Sequence, residues 1–447
     1  MAQALRSIYV ILVSLALFTA GSSLLGTLLA VRMSIEGFSN QSIGPILAFY
    51  SFGFVVGTLY LVKIIRRVGH IRSFAAFAAI ACIVTLAHPL WVNSVAWGAL
   101  RAIMGFCGAG LVMVMESWIN DRASNQIRGT IMATYAATSN LAQSGGQFTL
   151  GLGKPESYVL FSIAAALIAA SLVPLALTRA KAPLLESHER MGPRELFRAA
   201  PIGLVGAFMA GAAMAGLMAV LPVYAQQEGY RVQQISVLMG TAVLVGMATQ
   251  WPVGHISDRF DRRAMIVLLA LLGLLVSLPL ITQNGDSFLL LVVLVAAFVG
   301  LAGTIYPMCV ALTNDQLQSH QMVSASGTLL LIFGIGTIVG PVGSSLAMQV
   351  FGGVGLFIFI AAAMAIVSVF GLFRYLTAKP IPVEEQAEYV PVASASTPVI
   401  LEIDPRNLEF EAPVKVPLVD RRLGRPDRRQ DSQTGGRRRT DAADFNE

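Results

Sequence analysis

The sequence predicts an all-α integral membrane protein with twelve transmembrane helices in two halves of six, followed by a disordered cytoplasmic tail. Three observations carry that expectation. Apolar residues make up 55% of the 447 positions and charged residues only 13%, with a mean hydropathy of +0.69, the balance of the membrane class. Stretches of about 20 apolar residues, the length a helix needs to cross hydrocarbon, recur along the chain as far as residue 375. Lys and Arg gather in alternate loops between them, as they do on the cytoplasmic side of a membrane.

The first span, 8–31, follows Arg6 and is too long for the apolar core of a cleavable signal, so it is retained as a helix. Further spans at 43–62, 73–90, 96–115, 129–151 and 157–177 complete a first half over residues 1–178. The charged stretch 179–200 forms a central loop. Spans at 201–224, 235–254, 264–282, 287–309, 322–348 and 350–375 fill a second half over residues 201–376. Cys82, Cys107 and Cys309 all fall inside spans, where cysteine acts as a small apolar residue, and no disulfide framework is implied. Basic residues follow spans 2, 4, 6 and 8, whereas the loops on the other side hold Arg32, Lys154 and Arg231. Both termini are therefore expected in the cytoplasm of a multi-pass inner-membrane protein. From 377 to 447 the composition turns to Pro, Ser, acidic residues and Arg, too polar to bury a core. Arginines of that tail are expected to meet anionic headgroups of the bilayer. They lack interleaved aromatics, so no nucleic acid is expected as a partner.

Span 2 is followed by Lys63-Ile64-Ile65-Arg66-Arg67-Val68-Gly69-His70-Ile71-Arg72. Span 8, about 190 residues later, ends in Gly254-x-x-x-Asp258-Arg259-Phe260-Asp261-Arg262-Arg263. A short basic turn after the second helix of each half is what duplication of a six-helix unit leaves behind. The second turn resembles the signature loop of the major facilitator superfamily, with Asp261 standing where the family prefers Gly. In the first turn Arg67 and Gly69 persist, while Arg66 takes the place of the Asp. Arg101, Gly105 and Gly108 in span 4 are similar to the family's second motif. Gly336-x-x-x-Gly340-Pro341 in span 11 is similar to its Gly-Pro motif. Met115-Glu116-Ser117-Trp118 and Arg128-Gly129 resemble the YcaD-type bacterial branch. The resemblance covers residues 8–376. It implies a major facilitator fold that opens a central cavity alternately to each side, working as a monomer on a small-molecule substrate without cofactor or metal.

Ionisable groups deep in hydrocarbon are costly and mark function. Arg101 and Glu116 stand out, fifteen residues and so roughly 22 Å apart along one helix. Arg101 suits a substrate carboxylate or phosphate. Glu116 suits a gating ion pair with Arg66 or Arg67, or proton carriage. Asn140, Gln143 and Gln147 share one face of span 5, and Thr19, Ser23 and Thr27 one face of span 1; both are candidates for cavity wall, the alternative being interhelical hydrogen bonding for the amides and bonding to their own helix carbonyls for the hydroxyls. Met214 and Met218 form either an adaptable apolar wall or plain core. Gln250-Trp251-Pro252 and Tyr306-Pro307 set an aromatic beside a helix-breaking proline, whose freed carbonyl can meet a ligand. Gly105, Gly108, Gly336, Gly340 and Pro341 are read as packing positions. The gating set is Glu116, Arg66, Arg67 and Gly69 in the first half and Gly254, Asp258, Arg259, Arg262 and Arg263 in the second.

The sequence holds no Gly-x-x-x-x-Gly-Lys-Ser/Thr phosphate loop and no His-Glu-x-x-His pair, so neither an enzyme nor an ATP-driven pump is expected. The expectation is secondary active transport of a small organic solute, with proton coupling and an anionic substrate both open. A drug or metabolite efflux antiporter is the alternative within transport, although Gln143-Ser144-Gly145-Gly146-Gln147 lacks the antiporter proline. A non-transporting sensor or scaffold that signals through the tail is the alternative outside it.

Overall fold

The computed structural model describes residues 2–123, 127–177, 191–282, 287–377 and 396–400, all within one unit, Met1–Glu409. Among these residues there is helix and turn but no strand. In chain order the helices are α1 (Ala2–Ile35), α2 (Asn40–Val68), α3 (His70–Ala87), α4 (Ser94–Arg122), α5 (Arg128–Thr149), α6 (Tyr158–Ala170) and its short continuation α7 (Leu172–Ala176). The expected central loop, 179–200, contains a short helix α8 (Pro193–Ala199), and after it come α9 (Pro201–Gln227), α10 (Val232–Ser257), α11 (Arg262–Thr282), α12 (Phe288–Asp315), α13 (Ser319–Phe351) and α14 (Gly355–Thr377).

Local chemistry sets the ends of these helices. The Asn93 side chain accepts from the Val95 and Ala96 amides at 2.9 and 3.2 Å and caps α4, satisfying amides that have no partner inside the helix. Gly69 is the single residue between α2 and α3 and holds φ at 98°, a conformation that side chains with a Cβ avoid. That gives a backbone reason for a glycine at this place in the turn. Asp261 occupies the matching place before α11. Its carboxylate accepts from the Arg263 amide at 2.9 Å and so starts the helix.

Among the described residues eleven helices are long and apolar enough to cross a membrane, α6 and α7 together making one of them. The twelfth long helix, α5, has 22 residues but is diluted by Asn140, Gln143, Gln147 and its Ser and Thr residues. Helix pairing repeats between halves. In the first, α1 packs on α5 and α6, α2 on α4, and α3 on α6; in the second, α9 packs on α13 and α14, α10 on α12, and α11 on α14. Between halves α2 meets α13, α5 meets α10, and α1 meets α9, the pattern of a two-fold arrangement of equivalent helices.

Small residues bring backbones together at the closest crossings. A Cβ on Gly105 would strike the Tyr50 carbonyl, and one on Gly336 or Gly340 would strike the carbonyls of Phe208 and Ala212. The backbones of α2 and α4, and of α9 and α13, are thus in direct contact.

One expectation fails within the tail. Residues 396–400 form a short turn packed inside the bundle, with Ser396, Thr397, Val399 and Ile400 all buried. The rest of the expected tail, 378–395 and 401–447, and the loop 178–190 lie outside the described residues.

Candidate functional site

Polar contacts between the halves gather at the end away from the basic loops. Gln227 donates to the Asn40 side chain at 2.8 Å, and the Ser345 hydroxyl bonds the Asn40 carbonyl while accepting from the Gly44 amide at 3.2 Å. On the other flank Ser144 donates to the Gly240 carbonyl at 3.0 Å, and Ser236 donates to the carbonyls of Gln147 and Phe148 at 2.9 and 3.0 Å. This end is closed.

Deeper in, the halves separate around two chambers. One, of about 320 Å³, is lined from α2, α5, α9, α10, α12 and α13, and by Ser396 and Pro398. The other, of about 240 Å³, is lined from α1, α2, α4, α5 and α9, with Pro341 of α13. Tyr50, Ser51, Phe54, Gln143, Ala215 and Met218 line both, so they are two lobes of one cavity.

Arg101 belongs to the second lobe. It is only 7% exposed, and its guanidinium lies over the Tyr50 ring at 4.7 Å. Its Nε has no hydrogen-bond partner, and among the described residues no carboxylate pairs with it. A buried cation held only by an aromatic face is poorly compensated. Tyr306 lines the first lobe; it is 3% exposed, lies tilted against Phe333 with ring centroids 4.2 Å apart, and leaves its hydroxyl without a partner.

Backbone acceptors border the same space. Pro222, Pro307 and Pro341 lie inside α9, α12 and α13. Each lacks the amide that would bond the carbonyl four residues earlier, which belongs to Met218, Gly303 and Thr337 respectively. All three residues line the first lobe.

The other expected wall residues divide. Asn140, Gln143, Met214, Met218 and Gln250 line the first lobe, and Thr19, Ser23, Gln143 and Gln147 the second. Part of the α1 stripe is spent on packing, since Ser23 donates to the Gln143 carbonyl at 2.8 Å and Thr27 to the Gln147 side chain at 2.6 Å. Trp251 is not in the cavity. It is 78% exposed and stacks on His255, because it faces outward from α10, one position round from Gln250.

At the basic end the two signature loops differ. In the second half Arg262 is fully buried and bonds Asp315 at 2.5 Å and Asp258 at 3.3 Å, joining α10, α11 and α12. Arg263 pairs with Asp261 at 2.8 Å and lies over Tyr375. Arg259 is exposed near His255, and Gly254 is buried in the last turns of α10. In the first half Arg66 and Arg67 are exposed. Glu116 does not pair with them as the sequence suggested. It is fully buried, accepts from the Tyr135 hydroxyl at 2.8 Å, and accepts from the amide and hydroxyl of Thr397.

Sequence reasoning missed Tyr50, Tyr135, Asp315 and Thr397. Asp315 had a signal: Asn120-Asp121 near the end of α4 repeats as Asn314-Asp315 at the end of α12. The others carry no distinguishing local pattern.

Comparisons agree with this architecture. The chain is 26% identical over 359 residues to the MFS-type transporter YcaD of Shigella flexneri serotype 5b (strain 8401), covering 80% of this chain and 93% of the relative. YcaD of Escherichia coli O6:K15:H31 (strain 536 / UPEC) matches to the same extent. Among solved structures, the nucleoside transporter NupG superposes with a TM-score of 0.69 at 14% identity, over 84% of this chain and 99% of NupG. A bacterial homologue of the human lysosomal transporter Spinster, in an inward-facing and occupied conformation, gives 0.65 at 15% identity, over 85% of this chain and 97% of its own. The Major Facilitator Superfamily model matches residues 11–301 and 204–410, and the chain, a multi-pass membrane transporter, belongs to that family.

Proposed function

We propose that the protein is a secondary transporter for a small organic anion, working by alternating access, with the solute's acidic group held at Arg101. The observation that carries this reading is the buried, unpaired guanidinium in a cavity between the halves. A carboxylate or phosphate would supply the missing counter-charge in the bidentate geometry that arginine favours. In the larger lobe the carbonyls of Met218, Gly303 and Thr337, with Asn140 and Gln250, offer acceptors and amides to N–H or O–H groups on the solute body. Met214 and Met218 supply a deformable apolar surface between them.

In this reading α5 is the twelfth span, its polar face turned to the cavity rather than to lipid, and both termini are cytoplasmic. The basic loops then face the cytoplasm, and closure at the opposite end makes this an inward-facing form. No hydrolytic or redox step is needed, because the solute's own gradient, or one coupled to it, supplies the free energy.

The test compares metabolite levels inside and outside cells that lack the protein, overproduce it, or overproduce Arg101→Gln. An organic anion should move with expression, and Arg101→Gln should weaken its apparent affinity by roughly 10- to 100-fold, the worth of a charge-assisted contact of about 1.5–3 kcal/mol. Movement confined to neutral or cationic solutes, or indifferent to Arg101→Gln, would remove the anion assignment.

A further inference from the structure

We propose that Glu116 and Tyr135 form a peptide-binding site whose resident ligand is the chain's own segment 396–400, and that the docked segment blocks the cavity from the basic-loop side. The blocking role rests on the cavity being the solute's route; the docking does not.

The site is built around one carboxylate. Glu116 sits near the end of α4 with no exposed surface. An ionised carboxylate only accepts hydrogen bonds, through about four lone-pair positions. Tyr135 fills one from α5. The segment supplies the others: the Thr397 amide lies 3.1 and 3.0 Å from the two carboxylate oxygens, the Thr397 hydroxyl bonds one of them, and the Ile400 amide is directed at the same group. Ser396 adds a bond to Tyr135.

The segment has the shape this cradle requires. Pro398 fixes its own φ, and the Ile400 amide reaches back to the Thr397 carbonyl at 3.3 Å, closing a tight turn. The turn points both the Thr397 and Ile400 amides the same way. Its flanks are apolar, and Val399 and Ile400 are 4% and 1% exposed. The recognised chemistry is therefore a hydroxyl residue followed by proline and two aliphatic residues, read by one carboxylate and one phenol.

Docking and passage exclude one another. Ser396 and Pro398 form part of the wall of the 320 Å³ lobe, on the side that the interhalf contacts leave unsealed. Were the segment to leave, Glu116 would keep only the Tyr135 partner in a buried setting, at a cost that holds the segment in place. Release frees the mouth of the lobe. The same five residues thus satisfy a buried carboxyl group and occupy the exit.

The experiment uses the full chain, purified in lipid nanodiscs, with Cys82, Cys107 and Cys309 replaced by serine and single cysteines labelled by a polar maleimide. Val399→Cys should react at least tenfold more slowly than Arg72→Cys, an exposed position in the first turn of α3. Adding Thr397→Val, which keeps the shape but deletes the hydroxyl, should speed Val399→Cys about tenfold, since labelling follows the released population. Glu116→Gln should do the same; Thr397→Val lies in the tail and guards against a folding defect in the Glu116 variant. For blocking, Met247→Cys in the lobe should label several-fold faster when Thr397→Val is added.

Docking is overturned if Val399→Cys labels at the rate of Arg72→Cys in the otherwise unaltered sequence, or if both added variants leave its rate unchanged. Blocking is overturned if Val399→Cys is released while Met247→Cys is not. None of these readouts needs a transported solute, so failure of the transport reading would appear separately, in the metabolite comparison.

Discussion

Replacing Asp315 by alanine should destabilise the protein by about 3 kcal/mol. Arg262 is fully buried and Asp315 is 2% exposed, with 2.5 Å between the charged atoms. Removing one partner of such a pair typically costs about 3–5 kcal/mol, because the remaining charge stays buried without compensation. Here Asp258, 31% exposed and 3.3 Å from the same guanidinium, offsets part of the loss and places the effect at the lower end. Spread over a cooperative unit the size of one six-helix half, that is a fall in melting temperature of roughly 6 to 10 °C. The assay is thermal unfolding in detergent followed by intrinsic fluorescence, with Arg66→Ala as control. Arg66 is exposed, and its loss should cost less than about 0.5 kcal/mol. The double variant Arg262→Met with Asp315→Leu should recover most of the stability, since apolar groups of similar size need no compensation. A melting temperature for Asp315→Ala equal to that of the control, or a double variant no better than the single, would refute the argument.

Two further outcomes follow from packing and polarity. Gly340→Ala should lower the melting temperature by the equivalent of about 1–3 kcal/mol, because its Cβ meets the Ala212 carbonyl and α9 and α13 cannot separate cheaply; Gly145→Ala in α5, with nothing within 4 Å, should instead stabilise by up to about 1 kcal/mol in the same assay. Tyr306→Phe should leave melting unchanged or raise it slightly, since the hydroxyl it removes is buried without a partner, while altering the apparent affinity for any solute that Arg101 binds.

Much of the fold was legible because hydrocarbon imposes simple rules. Apolar runs gave the helices, alternate basic loops gave two sides, and the repeated turn at Arg66 and Asp258 gave the duplication that the helix pairing repeats. Gly105, Gly336 and Gly340 could be read as packing positions because small residues in such helices have few other uses. The site was legible only in part. Arg101 declared itself by cost alone, and the face of Asn140, Gln143 and Gln147 by its period. Tyr50 did not, because aromatic residues abound in these helices and nothing local says which one a guanidinium will cover. Trp251 misled for the related reason that a proline neighbour says a helix bends, not which way the adjacent ring faces. Thr397 was beyond reach, since a composition that cannot build a core can still contribute one turn to a core built elsewhere.

The two halves use their equivalent ends differently. In the second, α11 begins with Arg262 and α12 ends with Asp315, a short buried ion pair that binds three helices together. At the matching places the first half has His70, packed on Trp118 and in electrostatic contact with Asp121, while its loop arginines stay in solvent. The position equivalent to Glu116 in α12 is Val310, which is fully buried and needs no partner. Glu116 does need one, and it finds donors on α5 and on the segment 396–400. A half whose basic end is tied by its own ion pair can move as a rigid body. A half whose buried carboxylate is satisfied by a segment from far along the chain has a tie that can be withdrawn without unfolding anything. If the docking proposed for 396–400 holds, the releasable tie belongs to the first half, and Thr397→Val should loosen contacts there without disturbing the Arg262–Asp315 pair.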